Sequence, residues 1–168
     1  MDQPTPAHAF TIRPATVADI PILARHRCAM FSAMGDLAAT DWDALAAASA
    51  AYFAAALAAG TYVAWLVTLQ EQPDQVIAGG GLQIRPLLPR PATRGGLQRA
   101  GPQGLIVNVY TEPVWRRNGL AALVVETCIA WSRANGLAGL VLHAAPMGRA
   151  LYERLGFVAT NEMRYPLW

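Results

Sequence analysis

Two arginines, an asparagine and a glycine occur together in the run RRNGLA, from Arg116 to Ala121. The run lies between residues 104–111, which have the pattern of a strand, and residues 120–134, which have helical periodicity. The first N–H groups of a helix have no internal partner and lie at the positive end of its dipole, so a phosphate binds there readily. Gly119 lacks a Cβ and lets a ligand approach the backbone. The run therefore predicts an anion-binding loop, although an ordinary strand-to-helix connection can have the same sequence.

A second run, GRALYERLGF, starts at Gly148 and predicts a helix that carries Tyr152 and ends at Gly-Phe. RRNGLA matches the Arg/Gln-x-x-Gly-x-Gly/Ala pattern of the GNAT family of N-acetyltransferases, and Thr111-Glu-Pro113 precedes it at the spacing of that family. GRALYERLGF resembles the second signature of the same family. Two motifs in this order are far more specific than either alone, and the chain resembles the family over roughly residues 10–168.

The resemblance implies a mixed α/β fold, the GNAT fold. Its twisted, mostly antiparallel sheet would have six to seven strands, with helices on both faces. Two neighbouring parallel strands in the centre, here about residues 104–111 and 138–144, would splay apart and hold acetyl-CoA in the gap. A single domain is expected over residues 1–168, with residues 1–9 as a loose terminus.

The resemblance also implies which backbone groups hold the acyl donor. Arg116 would begin the loop, and the N–H groups of residues 117–121 would surround the pyrophosphate. The strand before the loop would pair with the pantetheine arm as an added strand does. The residues assigned to the cofactor are Val109, Tyr110, Thr111, Arg116, Arg117, Asn118, Gly119, Leu120 and Ala121.

Acetyl transfer to an amine needs a proton acceptor for the amine and a proton donor for the leaving thiolate. Tyr152 has the position of the family's tyrosine and is the predicted acid, although a tyrosine that packs one face of the last helix fits the same pattern. His143 is the candidate base, since an unperturbed histidine titrates near pH ~6.5, and a structural histidine is an equal alternative. Glu112 is a further candidate, but a glutamate in a turn is usually solvated.

Three residues are candidates for the acceptor pocket. Asn108 and Tyr110 are two positions apart on one predicted strand, so they share a side of the sheet, and Asn108 is expected to face the acceptor. His26 and Met30, from the first helix, are the other candidates, although helical spacing places His26 largely off the inward face of that helix.

The sequence departs from the family pattern at two positions. Many members have an asparagine seven residues before the tyrosine, where this chain has Ala145. Four residues before the tyrosine the chain has Gly148 rather than alanine. The first change removes a polar contact with the cofactor, which makes that part of cofactor binding uncertain.

Composition excludes several classes of protein. With 168 residues, 54% hydrophobic and 14% charged, the chain can bury a core. A net charge of +2 without a basic run argues against a nucleic-acid partner. Cys28 and Cys128 have no metal-type spacing, so neither a metal site nor a disulfide framework is expected, and Cys128 lies on an apolar helical stripe. No secretory signal opens the sequence, and a cytoplasmic location is expected.

The charge-free run of residues 44–70 is long enough for a membrane span, but it divides at Gly60 into an alanine-rich helix and a β-branched strand. No membrane association is therefore predicted. Strands are predicted at 10–13, 62–69, 75–84, 104–111, 140–142, 157–158 and 162–167, and helices from Thr16 or Asp19 to 34, from about 41 to 59, at 120–134 and at 146–155. Residues 71–74 are predicted as a turn, and the glycines at 79–81 as a bulge or a close backbone approach.

Residues 86–103 are rich in proline and glycine and predict a long loop. Its arginines and Arg85 are compatible with an anionic substrate group, although a solvated loop is the simpler interpretation. These arginines are Arg90, Arg94 and Arg99.

The sequence thus predicts an acetyl-CoA-dependent N-acetyltransferase that acts on a small amine or on an amino group of a protein. The alternative is a GNAT-fold module that binds acyl-CoA without efficient turnover. Dimers are common among such proteins, so a homodimer is possible. The acceptor and the preferred acyl length stay open.

Overall fold

The computed structural model describes residues 9–89, 91, 96, 97, 101–163 and 165. Its strands are β1 (Phe10–Pro14), β2 (Tyr62–Leu69), β3 (Gln72–Arg85), β4 (Gln103–Thr111) and β5 (Gly139–Leu142). Its α-helices are α1 (Ile20–Met34), α2 (Trp42–Ala58), α3 (Leu120–Ala134) and α4 (Arg149–Arg154). A short 3-10 turn lies directly before α1, α2 and α4, and another lies a few residues before α3.

The strands form one sheet in the order β1-β2-β3-β4-β5. The first three pairings are antiparallel, and β4 pairs with β5 in parallel over only four positions, Gln103–Ile106 against Gly139–Leu142. From Val107 to Thr111, β4 continues without a partner in β5. The two parallel strands are those that the sequence predicted, while their splaying stays a prediction.

The described part of the chain contains five strands rather than the predicted six to seven. Residues 157–163 have no regular secondary structure, so the strand predicted at 157–158 is not formed. Two apolar residues are too short a signal to specify a strand, and Val158 remains 82% exposed. The strand predicted at 162–167 is absent from 162, 163 and 165, and its other positions lie outside the described residues.

Helices cover both faces of the sheet, as the sequence predicted. One core packs α3 against the sheet, with Val67, Val124 and Cys128 fully buried. The other packs α1 and α2 against the opposite face through Leu23 and Phe53. The predicted apolar stripe of α3 is confirmed, since its members are buried in the first core or pack against it.

Local signals explain the ends of the first helix. Thr16 caps the turn before α1 and forms a capping box with Asp19. Pro21 lies in the first turn of α1, and Gly35 ends the helix in a left-handed conformation with φ 81°. Of the two predicted helix starts, Thr16 provides a side-chain cap, while Asp19 is the first flanking residue of α1 and makes no side-chain cap there.

A β-bulge interrupts the pairing of β3 with β4. Gly79 pairs with Tyr110 and Gly81 with Val107, so Asn108 and Val109 both lie opposite Gly80. Asn108 has a φ of 59°, in the left-handed region that asparagine tolerates better than most residues. The predicted bulge in the glycine run is confirmed, and its extra residue belongs to β4.

The turn between β2 and β3 differs from the prediction. It consists of Gln70 and Glu71, because Leu69 already pairs with Gln72, and residues 72–74 belong to β3. The charge-free run forms α2 and then β2, as predicted. Across the described ranges, no helix has the length and apolarity that crossing a membrane requires.

Most of the predicted loop at 86–103, including Arg90, Arg94 and Arg99, lies outside the described residues. Arg85 ends β3 and donates a hydrogen bond from Nη2 to Oε1 of Gln103 at 2.7 Å. That hydrogen bond links the last residue of β3 to the first residue of β4, on either side of the predicted loop.

Candidate active site

The predicted anion loop leaves β4 through a short turn, Pro113–Trp115, and enters α3 at Gly119. Arg117 and Gly119 both adopt left-handed φ angles, of 66° and 77°. Such a conformation is strained for arginine, and strain of this kind is concentrated at binding sites. The loop therefore has an unusual backbone path, and its role in binding an anion stays a prediction.

Side chains of the loop hold its own backbone. Nε of Arg116 donates to the carbonyl of Thr111 at 3.3 Å, and Nδ2 of Asn118 donates to the carbonyls of Trp115 and Arg116 at 3.1 and 3.2 Å. Among the residues that the structure describes, no side chain caps α3 at Gly119, so the first N–H groups of the helix are available to an anion. A Cβ on Gly119 would meet no atom within 4 Å, which leaves open space beside these groups.

Tyr152 and His143, the two predicted catalytic residues, line one cavity of about 360 Å³. Tyr152 comes from α4 and His143 follows the end of β5. Burial raises the pKa of Tyr152, so its phenol stays protonated at neutral pH. Nε2 of His143 lies 3.4 Å from Oε1 of Glu162, and both side chains are about half exposed or more.

The ring of Tyr152 lies against Gly148. A Cβ at Gly148 would be 3.0 Å from Cε2 of Tyr152, closer than ordinary contact. An alanine at this position therefore requires the Tyr152 ring to move by a few tenths of an ångström. Ala145, where many relatives have asparagine, caps the following 3-10 turn with its backbone alone and offers no polar side chain.

Asn108 joins α1 to the sheet at the bulge. Its Oδ1 accepts a hydrogen bond from Nη1 of Arg27 at 2.6 Å, and its Nδ2 donates to the hydroxyl of Tyr62 at 3.2 Å. Asn108 and Arg27 both line a second cleft, of about 440 Å³, between the two N-terminal helices and the sheet. Burial raises the pKa of Tyr62, so this hydroxyl is un-ionised.

The cleft is mainly apolar. Its apolar walls include Leu45, Ala48, Tyr52 and Phe53 of α2 and Leu105 and Val107 of β4. Ser49 is also part of the wall, and its buried hydroxyl has no hydrogen-bond partner within the described part of the chain.

A third group of polar residues lies where β4 ends. His26 is only 2% exposed, and its ring centroid is 5.0 Å from that of Tyr110. Its Nε2 is 3.5 Å from Oε1 of Glu112, a contact whose geometry does not make a hydrogen bond. Glu112 forms an ion pair with Arg25 and accepts a hydrogen bond from the hydroxyl of Tyr110 at 3.4 Å.

Two expectations are wrong for this group. His26 was expected off the inward face of α1, but it is buried, because Tyr110 and Glu112 of a distant segment cover it. Burial also lowers the pKa of His26 to about 4, so the ring is neutral at physiological pH. Glu112 was expected to be solvated, but its side chain is 20% exposed and has three partners.

Asn108 and Tyr110 do lie on the same side of the sheet, towards α1. Of the three residues predicted for the acceptor pocket, only Asn108 lines the cleft. His26 lies in the neighbouring group, and Met30 is half-buried on α1.

Cys128 is fully buried, as predicted, and burial raises its pKa to about 12, so it is not a nucleophile at neutral pH.

A model of the family described as Acetyltransferase (GNAT) matches residues 28–157. The match covers most of the chain, including both sequence motifs, the bulge and the anion loop. This chain belongs to the GNAT acetyltransferase family.

Solved GNAT structures agree with this assignment. A GNAT-family N-acetyltransferase from Ralstonia eutropha is 29% identical, with a TM-score of 0.80 over 95% of this chain and 99% of its own. A predicted acetyltransferase with acetyl-CoA, from Clostridium acetobutylicum, is 25% identical, with a TM-score of 0.79 over 94% and 96%. Glucosamine-6-phosphate N-acetyltransferase from Arabidopsis thaliana shares the fold at 17% identity, with a TM-score of 0.67 over 95% and 99%. No curated protein matches the sequence.

Membership of the GNAT family makes acyl transfer the general chemistry of this chain. In the described ranges, no three His, Cys, Asp or Glu side chains form a group that could hold a metal ion. The predicted absence of a metal stays a prediction.

Sequence reasoning missed two residues of the cleft, Arg27 and Ser49. Each has a weak signal. Arg27 is four residues before Phe31, and its guanidinium lies over that ring at 4.8 Å. Ser49 is the one serine in the alanine-rich sequence of α2. Neither signal indicates a ligand site in the sequence alone, because the site depends on how α1 and α2 pack beside the bulge of β4.

Proposed function

We propose that this protein is an acetyl-CoA-dependent N-acetyltransferase that moves an acetyl group directly from the CoA thioester to an amine. The observation that carries the proposal is the strained loop with an uncapped helix start at Gly119, directly after a strand whose second half has no partner in β5. The relative from Clostridium acetobutylicum, whose structure contains acetyl-CoA, supports this donor.

The loop and β4 bind the donor. The N–H groups of residues 117–121 receive the pyrophosphate, since they are uncapped and have open space beside them. Backbone groups of Val109, Tyr110 and Thr111 pair with the amides of the pantetheine arm along the free part of β4.

Transfer forms a bond between the amine nitrogen and the acetyl carbon and breaks the bond between that carbon and sulfur, whose electron pair stays on the thiolate. Tyr152 donates the proton that the thiolate needs and is reprotonated from water. Its raised pKa suits a group that must hold its proton until the thiolate forms. His143 accepts the proton that the amine loses, directly or through water, and Glu162 stabilises the resulting imidazolium.

The donor site is tested first by titrating the protein with acetyl-CoA in a calorimeter, beside the variant Gly119→Asp. A carboxylate at the helix start repels the pyrophosphate, and an aspartate is strained at this φ, so affinity should fall at least about tenfold. Gly60→Asp is the matched control, because Gly60 also has a positive φ, of 66°, and open space around its Cα. Binding that is equal in all three proteins, or absent from the wild type, contradicts the proposal.

Tyr152→Phe tests the chemistry. If Tyr152 is the acid, kcat should fall roughly 100-fold or more while the affinity for acetyl-CoA stays unchanged. The exposed Tyr165 gives the control Tyr165→Phe, which should keep wild-type turnover. Release of free thiol with a panel of amines is the readout.

The alternative is an acyl-CoA-binding module without efficient turnover, and Ala145 in place of a polar residue favours it. Such a module would bind acetyl-CoA but release no thiol with any amine of the panel, in the wild type as in the variant. The same experiment therefore separates the two functions.

A further inference from the structure

The cleft beside Asn108 carries a cation without an acidic partner. Arg27 donates one hydrogen bond, to Asn108, and its guanidinium lies over the ring of Phe31. Within the described ranges no carboxylate forms an ion pair with Arg27, whereas Arg13 and Arg25 each have one. A guanidinium has about five N–H donors in a planar fork, so most of those of Arg27 remain for a ligand.

The position of this cation limits what the ligand can be. Arg27 and Asn108 are in direct contact, and Asn108 occupies the bulge where β4 leaves its pairing with β5. If the acetyl group arrives along the free part of β4, the attacking amine must lie near Asn108. An anionic group bound by Arg27 would then be only a few bonds from that amine.

The rest of the cleft accepts an apolar body. Its walls combine two aromatic rings, Tyr52 and Phe53, with aliphatic side chains of α2 and β4. A volume of about 440 Å³ is in the range of small-molecule sites. Ser49 adds a second polar group, because the residue is only 5% exposed and its buried hydroxyl has no hydrogen-bond partner among the described residues. A buried hydroxyl without a hydrogen bond raises the free energy of the protein, so a ligand that forms a hydrogen bond with it binds more favourably.

We propose that the acceptor is an amino acid with a large apolar side chain. Its carboxylate binds the free donors of Arg27, its amine lies at Asn108, and its side chain fills the cleft towards Ser49. This inference rests on the proposed N-acetyltransferase function and names its acceptor class. An amino group at a protein N-terminus does not fit, because its α-carboxylate has become an amide and leaves Arg27 without a counterion.

Three probes separate the parts of the proposal. L-phenylalanine has the ring, the amine and the carboxylate, 2-phenylethylamine lacks the carboxylate, and phenylalanine amide keeps the carbon skeleton without the charge. Each is titrated calorimetrically into the protein saturated with CoA, and each is offered as acceptor with acetyl-CoA. L-phenylalanine should bind and react with a kcat/KM on the order of 10- to 100-fold above the two analogues that lack a carboxylate, as expected for charge-assisted hydrogen bonds.

Variants at Arg27 test whether this side chain causes the preference for an acceptor with a carboxylate. Arg27→Gln should remove it, by raising KM for L-phenylalanine on the order of 10- to 100-fold while leaving 2-phenylethylamine unchanged. Arg27→Lys keeps the charge without the planar fork and should retain part of the preference. Arg133→Gln, on the exposed end of α3, is the matched control and should behave as wild type. Thermal unfolding checks that each variant is folded.

The outcomes are separable. Equal kcat/KM for L-phenylalanine and the two analogues without a carboxylate, or a preference that survives in folded Arg27→Gln, overturns the acceptor proposal while acetyl transfer stands. Failure to bind acetyl-CoA overturns the proposed function itself. Failure to bind any of the three probes, in a protein that does bind acetyl-CoA, also overturns the acceptor proposal.

Discussion

At the scale of single residues, the contact between Gly148 and Tyr152 can be tested directly. Gly148 has φ −94° and ψ −16°, which alanine adopts without strain, so only the Cβ contact of 3.0 Å opposes Gly148→Ala. The Tyr152 ring must then move by a few tenths of an ångström. If this ring delivers the proton, kcat should fall by about threefold to tenfold, because small displacements of catalytic groups are costly.

Gly139→Ala is the matched control, since a Cβ at Gly139 would meet no atom within 4 Å. Steady-state kinetics of both variants, with acetyl-CoA affinity measured in parallel, gives the comparison. An unchanged kcat in Gly148→Ala would mean that the position of the Tyr152 ring does not limit the reaction.

Residue-scale prediction from the sequence depends on a residue belonging to a local pattern. Tyr152 and the loop from Arg116 were assigned roles because their neighbours in sequence form a motif, and those roles stay predictions. The assignment of Cys128 to the core from helical spacing is confirmed. His26 was misplaced because its burial depends on Glu112, 86 positions away in the chain. No local pattern contains that information.

At the scale of elements, a partly buried ion pair between Arg13 and Asp19 holds the start of α1 against β1. Arg13 contacts both carboxylate oxygens of Asp19, at 2.7 and 2.9 Å, and Thr16 donates two further hydrogen bonds to Asp19. The hydrogen bond from Arg13 is the main reason that the pKa of Asp19 falls to about 2. The folded protein therefore favours the ionised carboxylate.

Asp19→Asn should lower the free energy of unfolding by about 1 to 2 kcal/mol at pH 7. The folded-state pKa lies below the unfolded value near ~3.9, so the stabilisation is complete above about pH 4 and disappears as the pH falls towards 2. Urea unfolding of wild type and variant at pH 7 and at pH 2 measures this. Glu153→Gln, which breaks the exposed pair with Arg149, should cost less than about 0.5 kcal/mol. A difference for Asp19→Asn that is the same at both pH values would rule out the ion pair as its cause.

Most elements were predictable because each has its own periodicity and end signals, as in α1 with Thr16, Pro21 and Gly35. The bulge was only half predictable. The glycine run in β3 announced an irregularity, but the extra residue, Asn108, lies on the partner strand, where the sequence alternates normally. Which strand carries a bulge is decided by pairing register, and register depends on both strands.

At the scale of the whole molecule, the sequence predicted the family, the two helical layers and the parallel strand pair. It did not predict the cleft. The cleft exists because α2 brings Ser49 and Tyr52 against the bulge of β4, and Arg27 of α1 reaches Asn108 across 81 positions of sequence. The proposed acceptor site is thus a product of helix docking, and the sequence motifs concern the proposed donor site.

The glycine run of β3 also limits which substitutions this protein can accept during evolution. A methyl group on Gly80 would lie 2.8 Å from Cγ1 of Val124 and 3.2 Å from Cγ2 of Val109. An alanine at position 80 is therefore expected to persist only together with a residue smaller than valine at position 124. Positions 80 and 124 are expected to covary among descendants of this protein, so the sheet beneath α3 changes at this point only through linked substitutions.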